Sequence, residues 1–109
     1  MSMSKKFVST QRKGFHITFE NGLTASVQWG AGNYCDNHFP KDMDFSCNKD
    51  AQSDTAEVAA IYKGDLIDAN QFLSNGGDCC DIVVGYLTPE EVLDFLCNLQ
   101  KANPSEIIK

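Results

Sequence analysis

Residues 15–29 hold the pattern that most constrains this chain, two segments of alternating apolar and polar residues on either side of Asn21-Gly22. A two-residue turn would oppose Phe19 to Thr24 and set an apolar face against a polar one, so that register is disfavoured. A three-residue loop over residues 20–22 opposes Phe19 to Leu23 and places Gly22 in the left-handed position of a G1 bulge. The predicted apolar faces are Phe15, Ile17 and Phe19 in the first strand and Leu23, Ala25, Val27 and Trp29 in the second.

The segment over residues 55–63 fits either a strand or a helix. Asp54 with Glu57 resembles a capping box and the alanines favour a helix, whereas Val58, Ala60 and Tyr62 alternate as in a strand. A strand is favoured because the turn at residues 63–65 then makes a second hairpin into Leu66-Ile67. Residues 74–77 form a strong turn signal, and another short strand is predicted over residues 81–87.

A capped helix is predicted near the carboxy terminus. Thr88 is the N-cap, Pro89 takes the first helical position and Glu91 completes a capping box. Helical spacing predicts one apolar stripe, made of Val92, Phe95, Leu96, Leu99 and Ala102. Residues 103–104 end the helix, and residues 104–109 are expected to be a flexible tail.

These elements predict an α+β fold, in which a small antiparallel meander of four to five strands packs on one carboxy-terminal helix. We expect one domain over residues 1–109, with residues 1–13 either flexible or an edge strand. A chain of 109 residues can bury a core without disulfides or a metal. Its apolar runs are too short to span a bilayer, and its start lacks the apolar region of a secretory signal, so we expect a cytoplasmic protein.

Charge is distributed unevenly along the chain. The total is −6, but residues 1–20 carry four basic residues against Glu20, which is +3, while residues 65–94 carry seven acids and no lysine or arginine. Nucleic-acid binding depends on neutralising phosphates with basic residues, so direct binding to nucleic acid is disfavoured. An acidic surface fits a partner with a basic surface, or simply a solvated exterior.

The five cysteines suggest a second, weaker type of site. Their odd number argues against a closed disulfide framework. Cys35 and His38 have the spacing of half a zinc site, with Cys47 or the Cys79-Cys80 pair as further ligands, whereas a strong signature needs two such pairs. Reduced thiols and no cofactor are therefore favoured, with zinc as the alternative, and Cys97 is interpreted as a small buried hydrophobe.

An aromatic cluster follows the second strand of the hairpin, at the start of a long loop predicted over residues 30–54. One interpretation is structural, with Trp29 and Phe39 closing the core edge and the Asn and Asp side chains forming turns. The other is a recognition surface, because Trp and Tyr are enriched at interface hot spots. The candidate residues are Trp29, Asn33, Tyr34, Asp36, Asn37, His38 and Phe39.

Three blocks of the sequence, residues 19–37, 56–59 and 85–95, carry a resemblance. With motifs such as Asn-Gly at 21–22, Gly-Asn-Tyr-Cys-Asp-Asn at 32–37 and Thr-Pro-Glu-Glu-Val-Leu at 88–93, the chain resembles a group of small proteins from tailed bacteriophages and prophages. The similarity touches most of the chain between residues 14 and 100. It implies a phage or bacterial origin, and it brings no activity and no catalytic residues.

The leading hypothesis is a non-enzymatic accessory protein that binds a host protein with a basic surface, such as an antiviral nuclease or another nucleic-acid-handling enzyme that it inhibits. The alternatives are a small metal or thiol module using Cys35, His38 and Cys47, and a structural component of the virion. A homodimer is left open, and neither nucleic acid nor membrane is an expected partner. The acidic candidates for the partner surface are Asp65, Asp68, Asp78 and Asp81.

Overall fold

A computed structural model of the chain describes residues 5–40, 45, 49–76 and 81–107. In this part of the chain, six strands, one α-helix and two short 3-10 helices follow one another. The strands are β1 (Phe7–Ser9), β2 (Gly14–Thr18), β3 (Leu23–Gln28), β4 (Ala56–Tyr62), β5 (Asp65–Ile67) and β6 (Val84–Leu87). The helix α1 spans Pro89–Lys101, and the 3-10 helices span Ala69–Phe72 and Pro104–Glu106. None of the helices described is long and apolar enough to cross a membrane.

The strands form one antiparallel sheet, which confirms the predicted α+β class. Strands β1 to β5 follow one another as a meander, and β6 returns to pair with β4 beside β5. Strand β1 lies at the edge of the sheet and brings the number of strands to six, one more than the four to five predicted. Its turn into β2 holds Gln11 and Arg12 at φ values of 51° and 64°, in the left-handed region. Neither residue is typical of such a turn, so the sequence carries no signal for it.

The first hairpin has the predicted register. Phe15 lies opposite Val27 and Ile17 opposite Ala25, and the amide of Phe19 donates to the carbonyl of Leu23 at 2.9 Å. Gly22 has a φ of 87°, the left-handed conformation that the three-residue loop requires. The apolar faces of both strands therefore point to the same side of the sheet.

Strand β4 is the central strand, which decides the ambiguous segment in favour of a strand. It pairs with β3 along one edge and with both β5 and β6 along the other. Lys63 and Gly64 both have positive φ values, 53° and 84°, as a two-residue hairpin of type I′ requires. Strand β6 is shorter than predicted, because the carboxylate of Asp81 accepts from the amide of Ile82 at 2.7 Å and forms a turn there.

Helix α1 covers the apolar face of the sheet. The capping box of Thr88 and Glu91 is present, and Phe95 and Leu99 are fully buried against the sheet. Cys97, predicted from the sequence to be a small buried hydrophobe, is exposed. Two residues along a helix turn the side chain by about 200°, so position 97 faces away from the buried stripe.

The segment after the helix was expected to be a flexible tail. Its flexibility stays a prediction, but its first residues form a short helix: Asn103 caps the 3-10 helix Pro104–Glu106, and its side chain accepts from the amide of Ser105 at 3.1 Å. Ile107 then packs, partly buried, against the core. An Asn-Pro pair that ends an α-helix therefore starts another ordered turn here.

Candidate functional site

The sheet has two ends that differ in construction. We call the end with the hairpin turns at residues 20–22 and 63–64 the hairpin end, where helix α1 finishes. At the opposite end lie residues 29–40 and 49–55 and the start of α1, and we call it the loop end. The aromatic cluster singled out in the sequence lies at the loop end, so this is where the candidate site is built.

Three polar side chains hold the loop over residues 29–40 in place. Asn33 accepts from the amide of Gly30 at 3.0 Å and donates to Glu57 at 3.2 Å. Asn37 donates to the carbonyls of Trp29 and Gln52, at 2.7 and 2.8 Å, and so joins two segments of the loop end. The amide of Asp36 donates to Thr55 Oγ1, which donates back to the Asp36 carboxylate at 2.8 Å. The contacts of Asn33, Asp36 and Asn37 are those of the structural interpretation, in which Asn and Asp side chains hold the turns of the loop.

Trp29 also has a structural position. Its ring is half-buried and packs edge-on against Phe15, with 6.2 Å between ring centroids. Its indole Nε1 donates to the carbonyl of Ala51 at 2.9 Å, so both its apolar body and its polar atom have partners. Trp29 closes the edge of the core, as the structural interpretation predicts.

The remaining aromatic candidates lie nearer the surface: Phe39, which the structural interpretation placed at the core edge with Trp29, is exposed, and His38 is half-buried. The rings of Tyr34 and His38 lie 5.1 Å apart, and those of His38 and Phe39 4.4 Å apart. Phe39 is 73% exposed and Tyr34 is 42% exposed. His38 Nδ1 lies 2.9 Å from the carbonyl oxygen of Asn33, which fixes the ring against its own loop. Tyr34 and Phe39 are therefore exposed on this loop, and the half-buried ring of His38 packs against each of them.

Tyr86 on strand β6 is bound to this loop through its backbone, and it is not among the residues predicted from the sequence. Its amide donates to the carbonyl of Tyr34 at 2.8 Å, and its side chain is 54% exposed. Its φ of 57° lies in the left-handed region, at a bulge in the pairing of β6 with β4. We call Tyr34, His38, Phe39 and Tyr86 the aromatic surface.

Gly85 makes this contact between loop and strand feasible. A Cβ atom at position 85 would lie 2.7 Å from the carbonyl oxygen of Tyr34 and would clash with its Cβ. A single glycine within a strand pattern is the sequence signal for a bulge or for close approach of another backbone. The Gly85-Tyr86 pair therefore carried a readable clue to the missed residue.

The predicted acidic residues lie in separate places. Asp65 is at the hairpin end, about 20 Å from the aromatic loop at roughly 3.3 Å per residue of β4. Asp68 caps the first 3-10 helix by accepting from the amide of Asn70 at 2.9 Å, and Asp81 forms the turn before β6. Asp78 lies outside the described residues. The structure does not bring Asp65 to the aromatic surface.

Other acids lie closer to the aromatic surface. Glu57 accepts from Asn33 and lies beneath the loop, while Glu91 and Asp94 line an open pocket of about 410 Å³ together with Tyr86. Hydrogen bonds from the side chain and amide of Ser74 lower the pKa of Asp94, which keeps its carboxylate ionised. The lining of this pocket contains no lysine or arginine among the described residues.

Two of the candidate metal ligands, Cys35 and His38, have other partners. Cys35 is buried, its thiol lies 3.6 Å from the carbonyl of Gly30, and burial raises its pKa. Cys47 and the Cys79-Cys80 pair lie outside the described residues. In the part of the chain that is described, no group of three His, Cys, Asp or Glu side chains could hold a metal ion. Zinc binding by Cys35, His38 and Cys47 stays a prediction.

Comparison of the chain with protein families, with curated proteins and with solved structures gave no match. Function therefore has to be argued from the geometry of this chain alone.

Proposed function

We propose that this chain is a non-enzymatic binding protein whose aromatic surface engages a partner protein with a basic surface. The observation that carries the proposal is the exposure of Tyr34, Phe39 and Tyr86, together with the half-buried ring of His38, on a backbone that is fixed by internal hydrogen bonds. Large aromatic side chains that stay in water represent unused apolar surface, which is typical of interaction sites.

The rigidity of the loop supports binding. Asn33 and Asn37 fix the backbone on either side of Tyr34, and the amide of Tyr86 anchors the carbonyl of Tyr34 to β6. A loop that is already ordered loses little conformational entropy when a partner docks, so more of the contact energy appears as affinity. The strained φ of Tyr86 points the same way, because backbone strain is retained most often at functional positions.

Charge indicates the chemistry of the partner. Asp36, Glu57, Glu91 and Asp94 lie around or behind the aromatic rings, in a chain whose net charge is −6. Complementary charge steers encounter and suppresses wrong partners, so a surface rich in lysine and arginine fits best. A host enzyme that handles nucleic acid presents such a surface, and a phage-type accessory protein that covers it would inhibit the enzyme.

A matched pair of variants tests the proposal. Phe39 and Phe7 are both 73% exposed, but Phe7 lies on the edge strand β1, outside the aromatic surface. We expect wild type and Phe7→Ser to capture the same protein from a bacterial lysate, and Phe39→Ser to lose it. Added DNA or RNA should release the captured protein if its nucleic-acid channel is covered. Equal capture by all three baits, or no reproducible partner, contradicts the proposal.

A further inference from the structure

An apolar groove of about 360 Å³ runs along the first half of helix α1 at the loop end. Its floor and walls include Trp29, Leu87, Val92 and Leu96, and its outer wall is formed by residues 53–55. This volume is at the lower limit of the roughly 300–1,000 Å³ of ligand pockets, which suits an anchoring side chain. The groove is distinct from the aromatic surface but opens at the same end of the sheet.

Leu93 stands at the rim of this groove and is not part of the core. It is 61% exposed, whereas Phe95 and Leu99 on the same helix are fully buried. An exposed leucine beside a half-buried tryptophan leaves apolar surface in water that neither sheet nor helix covers. Burying that surface against a partner would be favourable.

The charges around the groove select between occupants. Asp54 forms part of the wall, and Glu90 lies one helical turn before Leu93 on the exposed side of α1. Lys13 packs over Gly30 beside Trp29. A second copy of the chain would bring these acids against one another, whereas a segment with lysine or arginine next to its apolar residues would pair with them.

We propose that this groove binds an apolar side chain from a segment of the partner in which basic residues flank the apolar anchor. The inference rests on the proposed function, since it names the chemistry of one part of the protein partner. The apolar anchor lies against Trp29, Leu93 and Leu96, and the flanking cations lie toward Asp54 and Glu90. The aromatic surface and the groove then contact two parts of one partner.

Trp29 is the one tryptophan in the sequence, so its fluorescence reports on the groove. The probes are two short amphipathic peptides without tryptophan, with the same leucine stripe and with either lysine or glutamate on the polar face. We expect the lysine peptide to shift the Trp29 emission saturably. The glutamate peptide should bind at least about tenfold more weakly, because like charges across an interface lower affinity. Equal binding of the two peptides, or no binding of either, overturns the inference.

Variants locate the binding. Leu93→Asn and Asp54→Asn should each weaken the lysine peptide, whereas Leu66→Asn should not, because Leu66 is 53% exposed on β5 and lies outside the groove. Unchanged binding by Leu93→Asn overturns the inference. So does a dimer in sedimentation equilibrium that Leu93→Asn abolishes and Leu66→Asn preserves, because a second copy is then the occupant.

The two proposals fail separately. If the peptides ignore the groove while Phe39→Ser still loses the captured protein, the groove inference falls and the proposed function stands. If the lysine peptide binds the groove while Phe39→Ser captures as wild type does, the aromatic surface is not the interface.

Discussion

The two ends of the sheet use the same type of residue for different results. At the hairpin end, Asn21 donates to the carbonyl oxygens of Leu99, Gln100 and Ala102, at 2.9, 3.2 and 2.9 Å, and so closes the end of helix α1. At the loop end, Asn37 joins two loop segments in a similar way. The hairpin end thereby joins helix to sheet, whereas the loop end fixes a loop that holds aromatic rings in solvent. One end joins helix α1 to the sheet, and the other leaves aromatic side chains exposed.

The largest expected effect at the loop end follows from Gly85→Ala. The added methyl group clashes with Tyr34, so the loop has to move away from β6. We expect a loss of about 1–3 kcal/mol in the free energy of unfolding, the usual cost of overpacking, together with loss of the captured partner. Denaturant unfolding and lysate capture measure the two effects.

Gly22→Ala is the matched change at the hairpin end. Gly22 has a φ of 87° but open space around it, since an added methyl group would lie 4.0 Å from the Tyr62 ring. The variant should lose about 1 kcal/mol through backbone strain while capturing the partner normally. Loss of capture in Gly22→Ala as well would show that the two ends are not separable.

The asparagines of the two ends give a second matched pair of variants. Asn21→Ala removes the donors to three carbonyl oxygens and should lower the free energy of unfolding by about 1–2 kcal/mol with partner binding intact. Asn37→Ala removes two donated hydrogen bonds and should weaken binding as well as stability. Binding measured at a temperature where both variants are fully folded separates the two effects. Equal binding by both variants contradicts the distinction.

Tyr86 is expected to show a smaller effect of unusual sign. Because the left-handed region costs a residue with a side chain about 1–2 kcal/mol, Tyr86→Gly should keep the stability of wild type or gain up to about 1 kcal/mol. Tyr86→Val should lose stability, although valine favours strands, because a β-branched residue tolerates a positive φ poorly. Both variants should lose partner binding. A glycine variant less stable than the valine variant would argue against strain at this position.

The smallest effect concerns acid. Hydrogen bonds from Ser74 lower the pKa of Asp94, so its contribution to stability is complete above the ordinary pKa of an aspartate and is lost as the pH falls through the lower folded-state pKa. The difference in unfolding free energy between wild type and Asp94→Asn should be constant above about pH 4 and shrink below it. Ser74→Ala should reduce the same dependence, and an unchanged acid profile in both variants contradicts the assignment.

Local chemistry made the first hairpin and the start of helix α1 readable from the sequence. The apolar faces of residues 15–19 and 23–29 allow one register, and Gly22 supplies the φ that it needs. Thr88 and Glu91 mark the start of α1 because a capping box involves only neighbouring residues. In each case the interacting groups lie within a few positions of one another.

The loop end was less readable because its contacts join distant residues. Glu57 was considered as part of a capping box, yet it accepts from Asn33, and Tyr34 meets Tyr86 across nearly half of the sequence. The turn at Gln11 and Arg12 and the strained Tyr86 oppose local preference, so tertiary packing decides their conformations. Whether Asp65 lies near the aromatic residues depends on the order and direction of the strands. The pairing of β5 with β4 places Asp65 at the hairpin end.

Strand β4 has a consequence for exchange kinetics. It pairs with β3, β5 and β6 and also contacts α1, so its amide hydrogens are released to solvent only when the whole sheet opens. A molecule that binds only the folded chain at the loop end makes such opening rarer by mass action. Binding of a molecule at the aromatic rings should therefore slow deuterium uptake at Ala59 and Ile61, which lie on β4 away from those rings.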